Sequence, residues 1–211
     1  MEEKILHEPC QWKRESPQSQ FLPRRLVHVG RDGSTLRATL KETGQFKTDV
    51  RYVTASHCWG SDPFLTLTLD NYEEFKTAIP LYHPQFSKTF LDILQVAVDL
   101  DYYYVWIDSL CIQQGTSGAS DWAQECSRMA YIYKYAELNI SVAGSIGPGG
   151  MLAKRCDLHK ACPPHLYLPT RGFHHLFKED HIESQIRSSP LSERGWIIQE
   201  RFLVRAVISQ H

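Results

Sequence analysis

Between residues 51 and 143 the hydrophobic pattern alternates between a strand-like and a helix-like period, and this constrains the fold more than any other feature of the chain. Arg51 to Trp59 reads as a strand, with Gly60 punctuating its end. Residues 89–100 place Phe90, Ile93, Leu94, Ala97 and Val98 at i, i+3, i+4, i+7 and i+8, one apolar face of a helix. Thr89 with Asp92 three residues later fits a capping box. Tyr103 to Ile112 is almost continuously apolar and aromatic, the pattern of a strand covered on both faces. A second helix is expected from about Asp121 to Tyr135, with Ser120 or Asp121 as N-cap. Leu138, Ile140 and Val142 then alternate with Asn139 and Ser141, a half-buried strand. This order predicts an α/β fold in which crossover helices join a parallel sheet.

The flanks are less regular. Residues 1–20 are polar and aperiodic and read as a flexible N-terminal arm. Phe21 to Val29 opens ordered structure, Arg31-Asp32-Gly33-Ser34 reads as a turn, and Leu36 to Leu40 alternates weakly, as an edge strand would. Asn71 to Ile79 is a helix candidate stopping at Pro80. Residues 21–211 are expected to form a single domain, with 151–190 an irregular insertion marked by Pro163, Pro164, Pro169 and Pro190. Residues 194–208 would close the domain with a short helix and a last strand.

Charge and composition exclude several functions. The net charge of −1 leaves no basic surplus to neutralise phosphates, so nucleic acid is not an expected partner. Arg24-Arg25 reads as a solvated face. No run of ~18 apolar residues is present to span a membrane, and Met1-Glu2-Glu3-Lys4 lacks the plan of a signal peptide. Six cysteines are spread along the chain, a pattern of reduced thiols in a cytoplasmic protein.

Glu125 is the most informative single residue. On a wheel of ~100° per residue, Trp122, Cys126, Met129, Ile132, Tyr133 and Ala136 form one arc, and Glu125 lies inside it. A carboxylate on a core-facing stripe is costly unless it is paired or useful. Burial disfavours the ionised form of such a group, which is how sites make carboxylates do chemistry. The plain alternative is a stripe-edge glutamate that pairs with an arginine.

Asp108 is placed near the C-terminal end of a central strand, where open α/β sheets bind ligands. Its structural alternative is to cap the next turn or pair with Arg194 or Arg201. Cys111 and His57 suggest a Cys/His hydrolase, though a cysteine in a buried strand is usually inert. Cys156, His159, Cys162 and His165 are spaced by three residues, too tightly to wrap a tetrahedral metal, and no metal site is assigned. Arg194, Trp196, Gln199 and Glu200 read as a buried polar network locking the last helix to the sheet.

Three blocks together resemble the HET domain, named for fungal heterokaryon incompatibility. Tyr52-Val53-Thr54-Ala55-Ser56-His57-Cys58-Trp59-Gly60 resembles the opening block Y-x-x-L-S-Y-x-W-G, with Ala55 and His57 where Leu and Tyr are usual. Trp106-Ile107-Asp108-Ser109-Leu110-Cys111-Ile112-Gln113-Gln114 resembles the central signature W-I-D-x-L-C-I-x-Q. Arg194-Gly195-Trp196 with Gln199-Glu200 resembles the closing R-x-W-x-x-Q-E, and Leu22-Pro23-Arg24-Arg25-Leu26 the usual lead-in. The resemblance covers roughly residues 21–208, and the chain reads as a short member or as one domain of a longer protein.

HET domains are similar to TIR domains. That likeness implies a flavodoxin-like, mostly parallel central sheet with helices on both faces, here with a C-terminal elaboration. It also implies that Trp122-Ala123-Gln124-Glu125 corresponds to the W-x-x-E segment whose glutamate cleaves NAD in catalytic TIR domains. On that comparison Glu125 is catalytic, and Ser56, Trp59, Gly60, Asp108 and Trp122 bind substrate. NAD is then a substrate, and no resident cofactor is expected. The resemblance implies a role in triggering cell death, with self-association into a homo-oligomer on activation and an upstream partner still to be identified. The alternatives are a non-enzymatic, self-associating signalling module and, more weakly, the Cys/His hydrolase.

Overall fold

A computed structural model of the chain describes residues 21–46, 50–60 and 62–146, together with short strands at 165–168, 172–175 and 207–210. The main sheet has six strands: β1 (Arg25–Asp32), β2 (Thr35–Glu42), β3 (Val53–Cys58), β4 (Tyr104–Trp106), β5 (Leu138–Ile146) and β8 (Val207–Gln210), in the order β2-β1-β4-β3-β5-β8. Between them lie α1 (Tyr72–Thr77), α2 (Lys88–Asp99), the single turn α3 (Asp108–Cys111) and α4 (Ala119–Tyr135). Within residues 151–190, β6 (His165–Leu168) pairs antiparallel with β7 (Gly172–His175) as a separate two-stranded sheet.

The expected parallel core is present. β3 pairs parallel with both β4 and β5, and β5 pairs parallel with β8. The sheet as a whole is mixed: three of its five pairings are parallel, and β1 runs antiparallel to both β2 and β4. The reason is local: only Gly33 and Ser34 separate β1 from β2, and so short a link permits only a hairpin. Gly33 adopts a φ of 61°, which suits that tight reversal.

Two more expectations are corrected. The apolar run Tyr103 to Ile112 is not one strand: β4 ends at Trp106 and the chain turns into α3. Continuous apolarity marks burial without distinguishing a strand from a buried helical turn. Thr89 is also not the N-cap of α2. Ser87 is the N-cap of α2 and makes no side-chain cap bond, while Thr89 is buried in the first turn.

Helices cover both faces of the parallel core. β3 is buried along its whole length. Its residues Val53, Ala55 and His57 share one face, against which α2 packs: the His57 ring lies 4.7 Å from that of Phe90, edge to face. Tyr52, Thr54 and Ser56 share the other face, against which α4 packs. Tyr52 Oη donates to the Ile132 carbonyl at 2.6 Å, and Trp106, which pairs with Thr54, meets Tyr133 at 5.7 Å between ring centroids.

The face under α4 is unusually polar for a core, and β5 is covered on both faces over Leu138 to Val142 rather than half-buried, with Asn139 and Ser141 as buried as their apolar neighbours. Thr54 and Ser56 hydroxyls donate to Asn139 Oδ1 at 3.1 and 3.2 Å, and Asn139 Nδ2 lies 3.0 Å from Ser56 Oγ. The β2 edge is also managed. Ile79 N–H donates to the Ala38 carbonyl and Leu36 N–H to Tyr82 Oη, so the segment after α1 covers part of an otherwise open edge.

Candidate functional site

The described candidate residues gather at the C-terminal ends of the parallel strands, where three segments meet: the exit of β3, the α3 turn and the first half of α4. At the exit of β3 the register with β5 shifts. His57 pairs with Val142, but Cys58 pairs with Ile146, so Ala143, Gly144 and Ser145 intervene on one side only. Gly60 then takes a φ of 69°, in the left-handed region that favours glycine, and carries the chain outward.

The central signature earns its sequence at α3. Trp106 and Ile107 are fully buried, as are Leu110 and Cys111 one turn later. Asp108 is the first residue of α3, whose N-cap is Ile107, and its Oδ1 accepts the adjacent Ser109 N–H at 2.7 Å. Its other oxygen accepts Trp59 Nε1–H at 3.1 Å, and His57 Nδ1 lies 3.8 Å from Oδ1. The Gln114 side chain folds back and donates to the Ile112 carbonyl at 2.9 Å, closing the segment. His57, Trp59, Phe64 and Phe90 form one aromatic cluster beside Asp108.

The start of α4 is fixed by Gly118 rather than by a polar cap. A Cβ at that position would fall 2.3 Å from the Gln113 carbonyl oxygen, so only glycine lets the turn press against Gln113. Gly118 is also the N-cap, without a side-chain cap bond. Asp121, expected to cap this helix, is buried instead. It accepts the Gln113 N–H at 2.9 Å and pairs with Arg25.

Arg25 corrects the reading of Arg24-Arg25 as a solvated pair. Arg25 is 4% exposed, its Nη2 donates to Asp121, and its Nε donates to the Cys111 carbonyl at 2.6 Å. Burial works against the Arg25 charge, yet the hydrogen bond and charge of Asp121 prevail and hold the guanidinium above its ordinary range. Arg24 is the exposed partner, donating to Asp121 and Gln124 from outside. One buried ion pair thus ties β1, the α3 loop and α4 together.

Glu125 is completely buried, as its position on the wheel predicts. An axial rise of ~1.5 Å per residue puts it ~12 Å beyond Tyr133 toward the C-terminal strand ends. Arg128 Nη1 donates to Oε1 at 3.0 Å, while Oε2 makes no hydrogen bond among the described residues. Glu125 lies close enough to Cys111 for its charge to act on that thiol, and Cys126 feels Asp108 in the same way. The α3 turn and the first half of α4 therefore face each other.

Other candidates are placed differently. Ser56 is buried under α4 with its hydroxyl engaged by Asn139, so it belongs to the core polar network. Trp59 is half-buried and joined to Asp108, and Gly60 is exposed. Trp122 is 48% exposed, against the wheel's assignment to the buried arc. The buried stripe instead runs through Asp121, Glu125, Met129, Ile132 and Ala136, which leaves Trp122 beyond its edge. Arg194, Trp196, Gln199 and Glu200 lie outside the described residues, as do the side chains of Cys156, His159, Cys162 and His165.

Cys111 is a poor nucleophile in this setting. It is fully buried, and burial pushes its thiol up to about 12. Native protein treated with iodoacetamide at pH 8 is expected to leave Cys111 unmodified, whereas guanidinium-unfolded protein labels it. Site-resolved mass spectrometry checks this, and rapid native labelling would restore the Cys/His hydrolase reading.

A family model described as Heterokaryon incompatibility protein (HET) matches residues 52–200. That span begins in the opening block before β3 and includes α3 and all of α4. Neither a curated protein nor a solved structure matches the chain. No helix of the described residues is long and apolar enough to cross a membrane.

Proposed function

The chain belongs to the heterokaryon incompatibility (HET) family, and we propose that it promotes cell death by cleaving NAD at the C-terminal edge of its parallel sheet. The observation that carries this reading is Glu125. It is a fully buried carboxylate at the ligand-binding edge of an α/β sheet, with one oxygen unbonded among the described residues. Native proteins rarely leave a buried polar atom unsatisfied without a use for it. The strand order adds support. Numbered among themselves, the four parallel strands lie in the order 2-1-3-4, the beginning of the flavodoxin-like order, with a switch point between β3 and β5.

The chemistry asks little beyond such a carboxylate. The bond between ribose C1′ and the nicotinamide nitrogen breaks, and its electron pair returns to the pyridinium ring. The oxocarbenium-like ribose left behind is stabilised by negative charge, as in glycoside hydrolysis. Water adds at C1′ and loses a proton, giving ADP-ribose, nicotinamide and H⁺. Glu125 supplies the charge, Asp108 holds the ribose or orders Glu125, and Trp59 or Trp122 offers a face for ring stacking. The direct test is nicotinamide release from NAD by the purified protein over a range of protein concentrations. No release, even where the protein self-associates, would overturn the enzymatic reading.

A non-enzymatic reading draws on a different observation. Trp122 and Tyr131 are 48% and 53% exposed on opposite flanks of α4, and Trp122 is a large aromatic side chain suited to a partner. In that reading the domain self-associates or binds an upstream protein, and the interior carboxylate only packs.

A further inference from the structure

We propose that Phe21 and Leu22 act with Arg128 as a latch over Glu125, and that lifting this strap exposes the carboxylate to substrate. The inference rests on the reading of Glu125 as the working carboxylate, and it concerns what keeps that group closed.

Arg128 is the solvent-facing partner of the pair: its side chain is 34% exposed and that of Glu125 1%. An Arg–Glu pair three residues apart on a helix is ordinarily a weak surface contact. Here the guanidinium is held in place by a distant segment. Nη2 donates to the Leu22 carbonyl at 3.2 Å, and the guanidinium carbon sits 4.8 Å above the Phe21 ring. Phe21 in turn packs against Tyr131 and Tyr135, one and two turns further along α4, at 5.6 and 5.9 Å. The charge pair is thus enclosed by a cation–π contact and a backbone carbonyl, both supplied by the strap.

The strap has a fixed end and a releasable one. From Pro23 onward it is anchored: Thr43 Oγ1 donates to the Pro23 carbonyl, Thr43 N–H donates to the Arg24 carbonyl, and Arg25 is buried against Asp121. Ahead of Pro23, the polar and ring contacts of Phe21 and Leu22 are made to α4. Displacing those two residues frees the half-exposed Arg128 to turn into water without disturbing the buried Arg25–Asp121 pair. Glu125 then loses both its partner and its cover. Any partner or second copy that takes up Phe21, or replaces its contact with Arg128, would switch the site on.

The test reads the latch without relying on NAD. The full chain and its Phe21→Ala variant are treated with a carbodiimide and an amine, and the labelling rate at each carboxylate is followed by mass spectrometry. In the parent, Glu125 is expected to resist labelling. Losing the stacked ring is expected to raise its rate by about tenfold, while Asp121 stays protected and so reports an intact helix. Arg128→Lys keeps the charge but lacks the planar fork that serves Glu125, Leu22 and Phe21 together. It is expected to raise Glu125 labelling in the same way, and it covers the case in which Phe21→Ala does not fold. No rise at Glu125 in either folded variant would overturn the latch. So would an equal rise at Asp121, because the strap would then merely stabilise α4. Nicotinamide release by the same variants separates the two ideas. Faster labelling with faster release supports both. Faster labelling with no release at any protein concentration keeps the latch and removes NAD cleavage.

Discussion

Replacing Arg25 with methionine is expected to destabilise the fold by about 3–5 kcal/mol, the cost of stranding a buried charge. For a domain of this size that corresponds to a fall in Tm of about 10 °C. The effect is large because one guanidinium serves two buried acceptors, Asp121 and the Cys111 carbonyl. Arg24 reaches Asp121 only from the exposed side, so it offsets part of the loss. Arg25→Lys is expected to recover only a fraction, since a single ammonium lacks the planar fork that reaches both acceptors. The double variant Arg25→Met, Asp121→Asn should be less destabilised than the sum of the singles, because removing both charges strands neither. Denaturant unfolding of the four proteins supplies the cycle. A single-variant loss below about 1 kcal/mol would place the pair among ordinary surface ion pairs and contradict its burial.

That ion pair marks where the sequence stops being legible. Arg25 and Asp121 are 96 residues apart, and nothing in either neighbourhood names the other. Arg25 sits beside Arg24 and before Leu26 and Val27, which are both buried, so alternation does not say which way it points. Asp121 at a helix start looks like a cap, and the actual start depends on Gly118 fitting against Gln113, a tertiary contact. By contrast, α2 and most of α4 are readable because their apolar residues keep a period that matches burial, whereas β3 and β5 are readable as strands but not in their burial, since both of their faces are covered. The β1–β2 hairpin is readable at its turn and in its edge strand, expected over Leu36 to Leu40 and found within β2. Its antiparallel seat beside β4 depends on which strand edge remains free after the parallel core forms. For the candidate site, Glu125 was legible because a charged residue violates the pattern of its own helix. Trp59 and Asp108 were legible only as ends of elements, and their hydrogen bond required the fold. Ser56 illustrates the reverse: a polar residue in a strand block that looks functional but satisfies Asn139 in the core.

Glu125→Gln is expected to separate chemistry from architecture. Glutamine keeps the shape of the side chain and an oxygen to accept from Arg128, and it removes a charge that sits fully buried. Arg128 is one-third exposed and can take water in exchange, so the folded state should change by no more than about 1 kcal/mol. If the carboxylate stabilises an oxocarbenium-like ribose, its charge is the active ingredient, and nicotinamide release should fall at least about 100-fold, as when preorganised electrostatic groups are removed from other enzymes. Glu125→Ala must be read more carefully, because it also opens a cavity at a fully buried position and can lose activity by lowering stability. The decisive pair of measurements is therefore the unfolding midpoint and the initial rate of the glutamine variant. A stable variant without activity assigns the charge to catalysis. A stable variant with full activity moves the reaction away from Glu125 and leaves the residue as a buried partner of Arg128. If the parent releases nicotinamide and the glutamine variant does not, but cell death persists with the variant, then NAD cleavage is not what this domain contributes to death. The exposed side chains of Trp122 and Tyr131, on opposite flanks of α4, become the parts to test.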